Sequence, residues 1–300
     1  MTNKLRPLLA TEVKNLKDLK LPMLASVKLD GIYALIVDGV IYSRSFKPIK
    51  NKHVQKLFGN RDLNGLVGEL VCGDVYAEDV FRQTTTATMA EDGVNDVKLY
   101  VFDDWSVGDK PYQERYQHYQ SRIKALNHGS IIALEHNMLH TIDEVITALD
   151  KEQKRNGEGI ILRLPSAKWK NGRSTPKSQE SVKLKFFEQQ EYKIVDVVER
   201  MHNANEAKVN ELGYTERSSH KDNMIPMNTF GAFVMELQDG RNFNVGSGLG
   251  LTDAVRKEIW NNRDKYIGKI ATVRQMKVGS KNGIPRLPTF VGLRDNDDMS

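Results

Sequence analysis

Cysteine is almost missing from this chain: Cys72 is the single one in 300 residues. No disulfide can form within it, so packing and hydrogen bonds must hold the fold, as in proteins of a reducing cytoplasm. Cys72 ends the apolar run from Leu66 and reads as a core thiol rather than a nucleophile. Long apolar runs are missing too. None approaches the roughly 18 residues of a membrane-spanning helix, and the opening residues Met1 to Pro7 carry no signal-peptide core. No internal repeat is present. Neither sign of charge dominates: 44 Lys and Arg stand against 39 Asp and Glu, a net +5. That is modest for a nucleic-acid binder, so the distribution of charge must identify the partner. What the chain does have is 39% hydrophobic residues, enough for a packed core in one large domain or two ordinary ones.

Short apolar runs broken by turn residues fill the first half. Ala25 to Lys28 reads as a strand running into a turn at Asp30-Gly31. Ile32–Val37 and Val40–Ser43 read as strands joined by the hairpin dipeptide Asp38-Gly39. Leu66 to Val71 and Lys98 to Phe102 read as further strands. Residues 111–126 carry a helical pattern opened by Pro111. Thr141 to Glu144 opens a second helix with capping-box spacing, and Gly157 ends it. Strands and helices interleave without a regular βαβ rhythm, which predicts an α+β domain. Residues 165–181 read as an exposed polar loop. Beyond Phe187 strand-like segments follow at 192–198, 231–237, 241–245, 269–277 and 288–293, with one helix from Thr252 to Asn262. Five strands and one helix predict a small Greek-key barrel of the OB type. The polar stretch 200–228 reads as a mobile insertion and the acidic tail from Asp295 to Ser300 as frayed. The expected domains are therefore 1–187 and 188–300, with a boundary near Phe187 to Gln190.

Lys28 sits at a strand end before a turn, so its amine can project into a cleft from a fixed backbone. A lysine amine is a nucleophile once deprotonated. Taken alone, Lys28-Leu29-Asp30-Gly31 fits a solvated turn lysine better than a reactive one. Other segments add weight. Arg44 lies at the end of the third strand, in Ser43-Arg44-Ser45. Glu69 and Glu158 place carboxylates inside or beside apolar strands, where edge positions are the bland alternative. In Ser181 to Lys185 the alternation puts Lys183 and Lys185 on one face. Two carboxylates and several cations amid apolar strands suit a site for phosphate and a divalent metal.

The ordered series KLDG, SRS, GEL, YVFDDW, EGIIL and VKLK, spread over residues 26–185, resembles the motif series of covalent nucleotidyltransferases: DNA ligases, RNA ligases and mRNA capping enzymes. Arg6 to Ala10 resembles the segment that precedes the nucleophile in ATP-dependent DNA ligases. In the second half, Val245 to Leu249 followed by a helix, and Pro285 to Val291 closing at Arg294, resemble the OB domain of small bacteriophage-type DNA ligases. The resemblance implies a nucleotidyltransferase (adenylation) domain of antiparallel sheets with flanking helices, followed by an OB-fold barrel. It implies an enzyme that seals nicks in duplex DNA with ATP and magnesium, as a monomer, in DNA replication, repair or recombination. If the chain is viral, it works in the bacterial host's cytoplasm.

By that resemblance Lys28 is the catalytic residue that carries AMP. Lys183 and Lys185 meet the α-phosphate and help keep Lys28 deprotonated. Glu158 serves the metal, Glu69 the ribose and metal, and Arg44 the ribose and nick phosphate. Phe102 stacks on the purine, with Val27 and Asp30 beside the nucleotide. The linker near Phe187 becomes a hinge on which the OB domain swings. DNA is gripped through its phosphates, with Lys168, Lys170, Arg173 and Lys177 in the basic loop and Arg286 and Arg294 in the second domain as contacts. Arg61, Arg82 and Lys277 are weaker candidates.

Three positions depart from the pattern. Many ligases carry a glutamate where Ser26 stands and an arginine where Tyr33 stands. Cellular ligases often end Arg-x-Asp-Lys, where this chain has Arg294-Asp295-Asn296-Asp297. Three rivals share features of the sequence. An RNA ligase would seal RNA nicks in preference to DNA. A capping guanylyltransferase would take label from GTP. A non-catalytic single-strand-binding protein would bind DNA without forming a nucleotide adduct.

Overall fold

The computed structural model describes residues 5–281 and 283–294, with side chains omitted for 277–281. The acidic tail and the residues after Arg294 lie outside the described residues, as do Met1 to Lys4 and the side chain of Lys277. The chain divides into two compact units, Met1–Phe186 and Phe187–Ser300.

The first unit is built on two sheets. One has five strands in the order Val40–Ser43, Ile32–Val37, Leu66–Cys72, Val97–Asp104 and Ile131–Ala133. It is antiparallel except for the last pair. The other has four antiparallel strands in the order Ser181–Lys185, Gly159–Arg163, Met23–Val27 and Asn137–Leu139. The hairpin turn at Asp38-Gly39 takes positive φ at both residues, 51° and 81°, the geometry that matches the twist of the flanking strands.

Each sheet buries one face against helices. Phe58, Leu66, Leu70, Leu99, Val101 and Tyr119 share the core under the five-stranded sheet. Met23, Ala25, Val145, Ile160, Leu162 and Val182 share the core under the four-stranded one. The helix Tyr112–Leu126 starts behind Pro111 and ends on Asn127 in the left-handed region. The helix Ile142–Lys154 is capped by Thr141, whose Oγ1 accepts from the Glu144 amide at 3.2 Å. The Glu144 carboxylate accepts from the His140 amide at 2.6 Å, one residue further back than a standard capping box.

Two helices carried no clear signal in the sequence, Lys52–Phe58 and Val80–Met89. The second is rich in threonine, a poor helix former. Tertiary contacts override that preference: Thr84 and Thr88 are fully buried, and the Thr84 hydroxyl accepts from the Cys72 amide at 2.9 Å.

The stretch 165–181 is an organised segment rather than a free polar loop. Gly172–Arg173 pairs in parallel with Leu8–Leu9. Gln179 is buried, and its amide donates to the Asp18 and Pro176 carbonyls while accepting from the Lys20 amide.

The second unit holds one five-stranded antiparallel sheet in the order Asn242–Val245, Met224–Glu236, Phe187–Asn203, Ile270–Lys281 and Ile284–Leu293. Its two edges meet where the Phe290 amide donates to the Ser247 carbonyl at 2.7 Å. The sheet thereby closes into a small barrel around Ile194, Phe230, Phe233, Met235, Val245 and Val273. With the helix Asp253–Asn261 between the third and fourth strands, this is the OB arrangement.

The strands run longer than the alternation of apolar residues predicts, and they carry the stretch 200–228 outward as a paired arm. Its ladder reaches Asn203 opposite Met224, and Ala207–Val209 pairs with Thr215–Arg217. Order comes from a buried amide rather than an apolar core. Asn205 Nδ2 donates to the carbonyls of Ser218 and His220 at 3.0 and 2.9 Å.

Candidate active site

The two sheets of the first unit flank a cleft of about 200 Å³. Tyr33, Glu69 and Phe102 face it from the five-stranded sheet, and Arg44 from just beyond its edge. Ser26, Val27, Lys28, Ile161, Arg163, Lys183 and Lys185 face it from the four-stranded one. Six of the residues singled out for chemistry therefore meet in one place: Lys28, Arg44, Glu69, Phe102, Lys183 and Lys185, with Val27 beside them. Arg173 joins them from the loop, where its Nη1 donates to the Ala10 carbonyl at 2.7 Å.

Lys28 follows the last residue of its strand, and its amide donates to the Gly159 carbonyl at 2.9 Å. Two glycines permit this close packing. A Cβ on Gly31 would fall 2.1 Å from the Leu70 carbonyl oxygen. One on Gly159, which has a φ of 144°, would fall 2.0 Å from that of Leu184. The backbone that carries the lysine is thus clamped against both sheets.

Glu158 lies behind the cleft, with its side chain 2% exposed. One carboxylate oxygen takes the Lys28 ammonium, and the other takes Lys185 Nζ at 2.6 Å. Burial alone would raise the Glu158 carboxyl, but the two ammonium groups outweigh it and hold the group below the usual carboxylate range. The partner shift runs the other way from a simple ion pair. Burial pulls Lys185 down, and Lys28 and Lys183 add to that, more than Glu158 restores. Lys183 pairs instead with Glu12, at 3.2 Å.

Glu69 has the opposite environment. Burial, together with the charges of Glu158 and Asp30, pushes its carboxyl up to about 8 against the pull of Lys28 and Arg44. Asp30 itself is not part of the cleft wall.

A charged cluster missed by the sequence reading lies under Phe102. Asp103, fully buried, receives Arg115 Nε at 2.7 Å and Nη2 at 3.1 Å, and Arg163 Nη1 at 3.3 Å. The Arg163 guanidinium lies between the rings of Phe102 and Tyr112, 4.9 and 5.0 Å from their centroids. The one trace of this cluster in the sequence is Asp103 and Asp104 ending an apolar strand, a place where buried acids need cations.

The remaining basic residues are dispersed. Lys168 and Lys177 are exposed on the 165–181 segment, while Lys170 is paired with Glu180 at 3.4 Å. Arg286 and Arg294 belong to the second unit, where Arg294 pairs with Glu191. Among the described residues no group of three or more His, Cys, Asp or Glu side chains could hold a metal on its own. Among the described residues no helix is long and apolar enough to cross a membrane.

Comparison with known proteins gives the family of the two units. Residues 7–185 match the model of the ATP dependent DNA ligase domain, and residues 226–294 match that of the DNA ligase OB-like domain. Two structures of Chlorella virus DNA ligase-adenylate are 28% and 26% identical to the chain. They cover 98% and 96% of it and 99% of their own length, with TM-scores of 0.55 and 0.54. A structure described under Lig E DNA ligases is 20% identical, covering 96% of this chain and 99% of its own, and shares the fold with a TM-score of 0.69. No curated protein sequence matches. The chain belongs to the ATP-dependent DNA ligases, enzymes that join DNA strands through a covalent adenylate drawn from ATP.

Proposed function

We propose that this ligase seals nicks in duplex DNA, with Lys28 as the residue that carries AMP. The observation that carries the assignment is the placement of Lys28 in the cleft, beside Lys183 and Lys185 and opposite Arg44, Glu69 and Phe102. The Lys28 amine, once it leaves Glu158 and loses its proton, attacks the α-phosphorus of ATP. A nitrogen–phosphorus bond forms, the bond to the β-phosphate oxygen breaks, and pyrophosphate departs. An oxygen of the 5′-phosphate at the nick then attacks the same phosphorus, and the lysine recovers its amine. Finally the 3′-hydroxyl attacks the 5′-phosphate and AMP leaves. Such transfers depend on in-line placement and charge neutralisation more than on covalent machinery. Lys183 and Lys185 supply cations at the phosphates, Arg44 binds ribose and then the nick phosphate, and Phe102 stacks on the base.

Magnesium fits a donor set of Glu69 and the Glu158 oxygen that Lys28 frees when it leaves. The ion needs only one or two carboxylates when substrate phosphates complete its shell. The upward shift of Glu69 comes first from burial, with the charges of Glu158 and Asp30 adding to it, and a bound cation would oppose it. When bound there, magnesium would offset phosphate charge. The DNA grip rests first on Lys168, Arg173, Lys177 and Arg44. Lys170 and Arg294 each exchange an acid, Glu180 or Glu191, for a phosphate, and Arg286 adds to the second unit's share. We place residues 1–187 as the adenylation domain and 188–300 as the DNA-binding OB domain of a monomer, working in a reducing cytoplasm.

A denaturing gel tests the reading. A singly nicked DNA duplex incubated with protein, magnesium and ATP should yield full-length strand only when ATP is present. A matched RNA nick sealed in its place, or an adduct formed from GTP alone, would overturn it.

A further inference from the structure

Lys183 and Lys185 share one face of a strand and both line the cleft, yet acids of opposite kind hold them. Lys185 Nζ lies 2.6 Å from Glu158, whose side chain is 2% exposed. Lys183 Nζ lies 3.2 Å from Oε1 of Glu12, whose side chain is 55% exposed. The chemistry above gives Glu12 no role.

The backbone on either side fixes where Glu12 stands. The Thr11 amide donates to the Ser181 carbonyl at 3.0 Å, and the Lys183 amide donates to the Thr11 carbonyl at 2.8 Å. Thr11 is buried, and Val13 packs against the core under the four-stranded sheet. The residues leading in, Leu8 to Ala10, line the cleft. Glu12 is thus an exposed acid between two anchored neighbours, beside the strand that carries both lysines.

Magnitudes separate the two pairs. Parting a buried pair strands a charge without water or partner. Parting an exposed pair lets water replace the partner, and shifts an equilibrium by about five-fold at most. Lys185 is therefore fixed, while Lys183 can change partners. A polyphosphate carries more charge than a carboxylate and offers several acceptor oxygens, so it takes the ammonium when it binds.

We propose that Glu12 is a positioning residue that acts through Lys183. It holds the ammonium at the cleft rim, yields it to the polyphosphate of ATP and takes it back when pyrophosphate leaves. This rests on the reading that Lys183 meets the phosphates. A competing carboxylate weakens the hold on ATP and, through the same lysine, the hold on pyrophosphate. It thereby opposes the return reaction, in which a pyrophosphate oxygen attacks the adduct phosphorus, the nitrogen–phosphorus bond breaks, Lys28 recovers its amine and ATP is reformed.

The test is AMP labelling of the full-length protein over a range of ATP, and release of the label from the isolated adduct over a range of pyrophosphate. Glu12→Gln keeps the shape and removes the charge. KM for ATP should fall about two- to five-fold, the span open to an exposed pair, and the half-saturating pyrophosphate should fall by a similar factor. The maximal labelling rate should change by less than KM, since Lys183 reaches the phosphates in both proteins. Made in a Lys183→Met background, the same change should lose most of its effect, as a coupled pair requires. A KM that holds or rises in Glu12→Gln overturns the proposal, and so does an unchanged pyrophosphate dependence or an equal fall in the Lys183→Met background. Failure of the underlying reading looks different: Lys183→Met alone would leave both constants unchanged.

Discussion

Lys185 Nζ lies 2.6 Å from one oxygen of Glu158, while the other oxygen of that carboxylate holds Lys28. A single buried acid thus sets the position of two cations of the cleft. Glu158→Gln keeps the shape and removes the charge. Adduct formation should fall about 100-fold or more, as when one preorganised electrostatic group is lost from a site. Two partly buried ammonium groups also lose their counter-charge, at a cost on the order of 3 kcal/mol in stability. Rates of ATP labelling and urea denaturation measure the two effects separately. An equal loss of stability with normal labelling would reduce Glu158 to a structural acid.

Lys28→Ala should abolish both the AMP adduct and strand sealing while leaving the fold in place. The side chain projects into the cleft, and Glu158 keeps Lys185 as its partner when Lys28 is removed. Thermal melting should match the wild type to within about 1 kcal/mol, the range for a change without a core cavity. Binding to nicked DNA should persist, because phosphate contacts elsewhere carry it. An ATP-dependent adduct in this variant would place the nucleophile elsewhere.

The hairpin and the lysine pair were legible because their signals are local. Asp38-Gly39 sets a turn between two alternating strands, and Lys183 and Lys185 are two residues apart, so they share a face. The polar framework was not legible, because its partners are far apart in the chain. Lys28 meets Glu158 across 130 residues, and Arg163 meets Asp103 across 60. No periodicity reports such pairings. The arm at 200–228 and the segment 165–181 looked like free loops for a related reason. Asn205 and Gln179 order them through side-chain amides bonded to backbone, a device with no apolar signature.

Glu69 should make stability fall as pH rises. Its carboxyl is raised in the fold to about 8, so the folded chain holds a proton that the unfolded chain releases near 4.5. The favourable contribution is complete below pH 4.5 and is lost as pH climbs through 8. Glu69 is half-buried, and solvent screening reduces the effect to about 1–3 kcal/mol. Glu69→Gln should therefore gain stability relative to wild type between pH 5 and 8.5 in thermal melts. Saturating magnesium should flatten the difference. A pH-independent gap between the two proteins would contradict this environment for the carboxyl.

His136 should act in the opposite direction on the pH axis. It is buried, with Nε2 3.0 Å from the Tyr112 hydroxyl and Nδ1 3.1 Å from the Leu134 carbonyl. Burial and the nearby Arg163 charge lower its pKa from 6.5 to about 3. Between those values the unfolded chain binds a proton that the folded chain refuses, so stability rises with pH there, by about 1.4 kcal/mol per unit. His136→Gln should flatten the stability curve between pH 6 and 4, at the cost of an imperfect hydrogen-bond fit at pH 7. An unchanged slope in that variant would assign the acid sensitivity to other groups.

Phe102 is the residue for which a core role and a nucleotide role differ most clearly in outcome. Its neighbours in the strand, Val101 and Asp103, are fully buried, while Phe102 is half-exposed and faces the cleft. Its ring packs against Tyr33 at 5.7 Å and against the Arg163 guanidinium. Phe102→Leu keeps most of the apolar volume and removes the flat face. Base stacking on an aromatic ring is worth roughly 1–3 kcal/mol, so KM for ATP in adduct formation should rise about ten-fold with kcat little changed. The loss belongs to binding, because stacking acts on the ground state and the transition state alike. A core role predicts a lowered melting temperature with KM untouched. The ratio of the two parameters therefore decides which face of the ring matters.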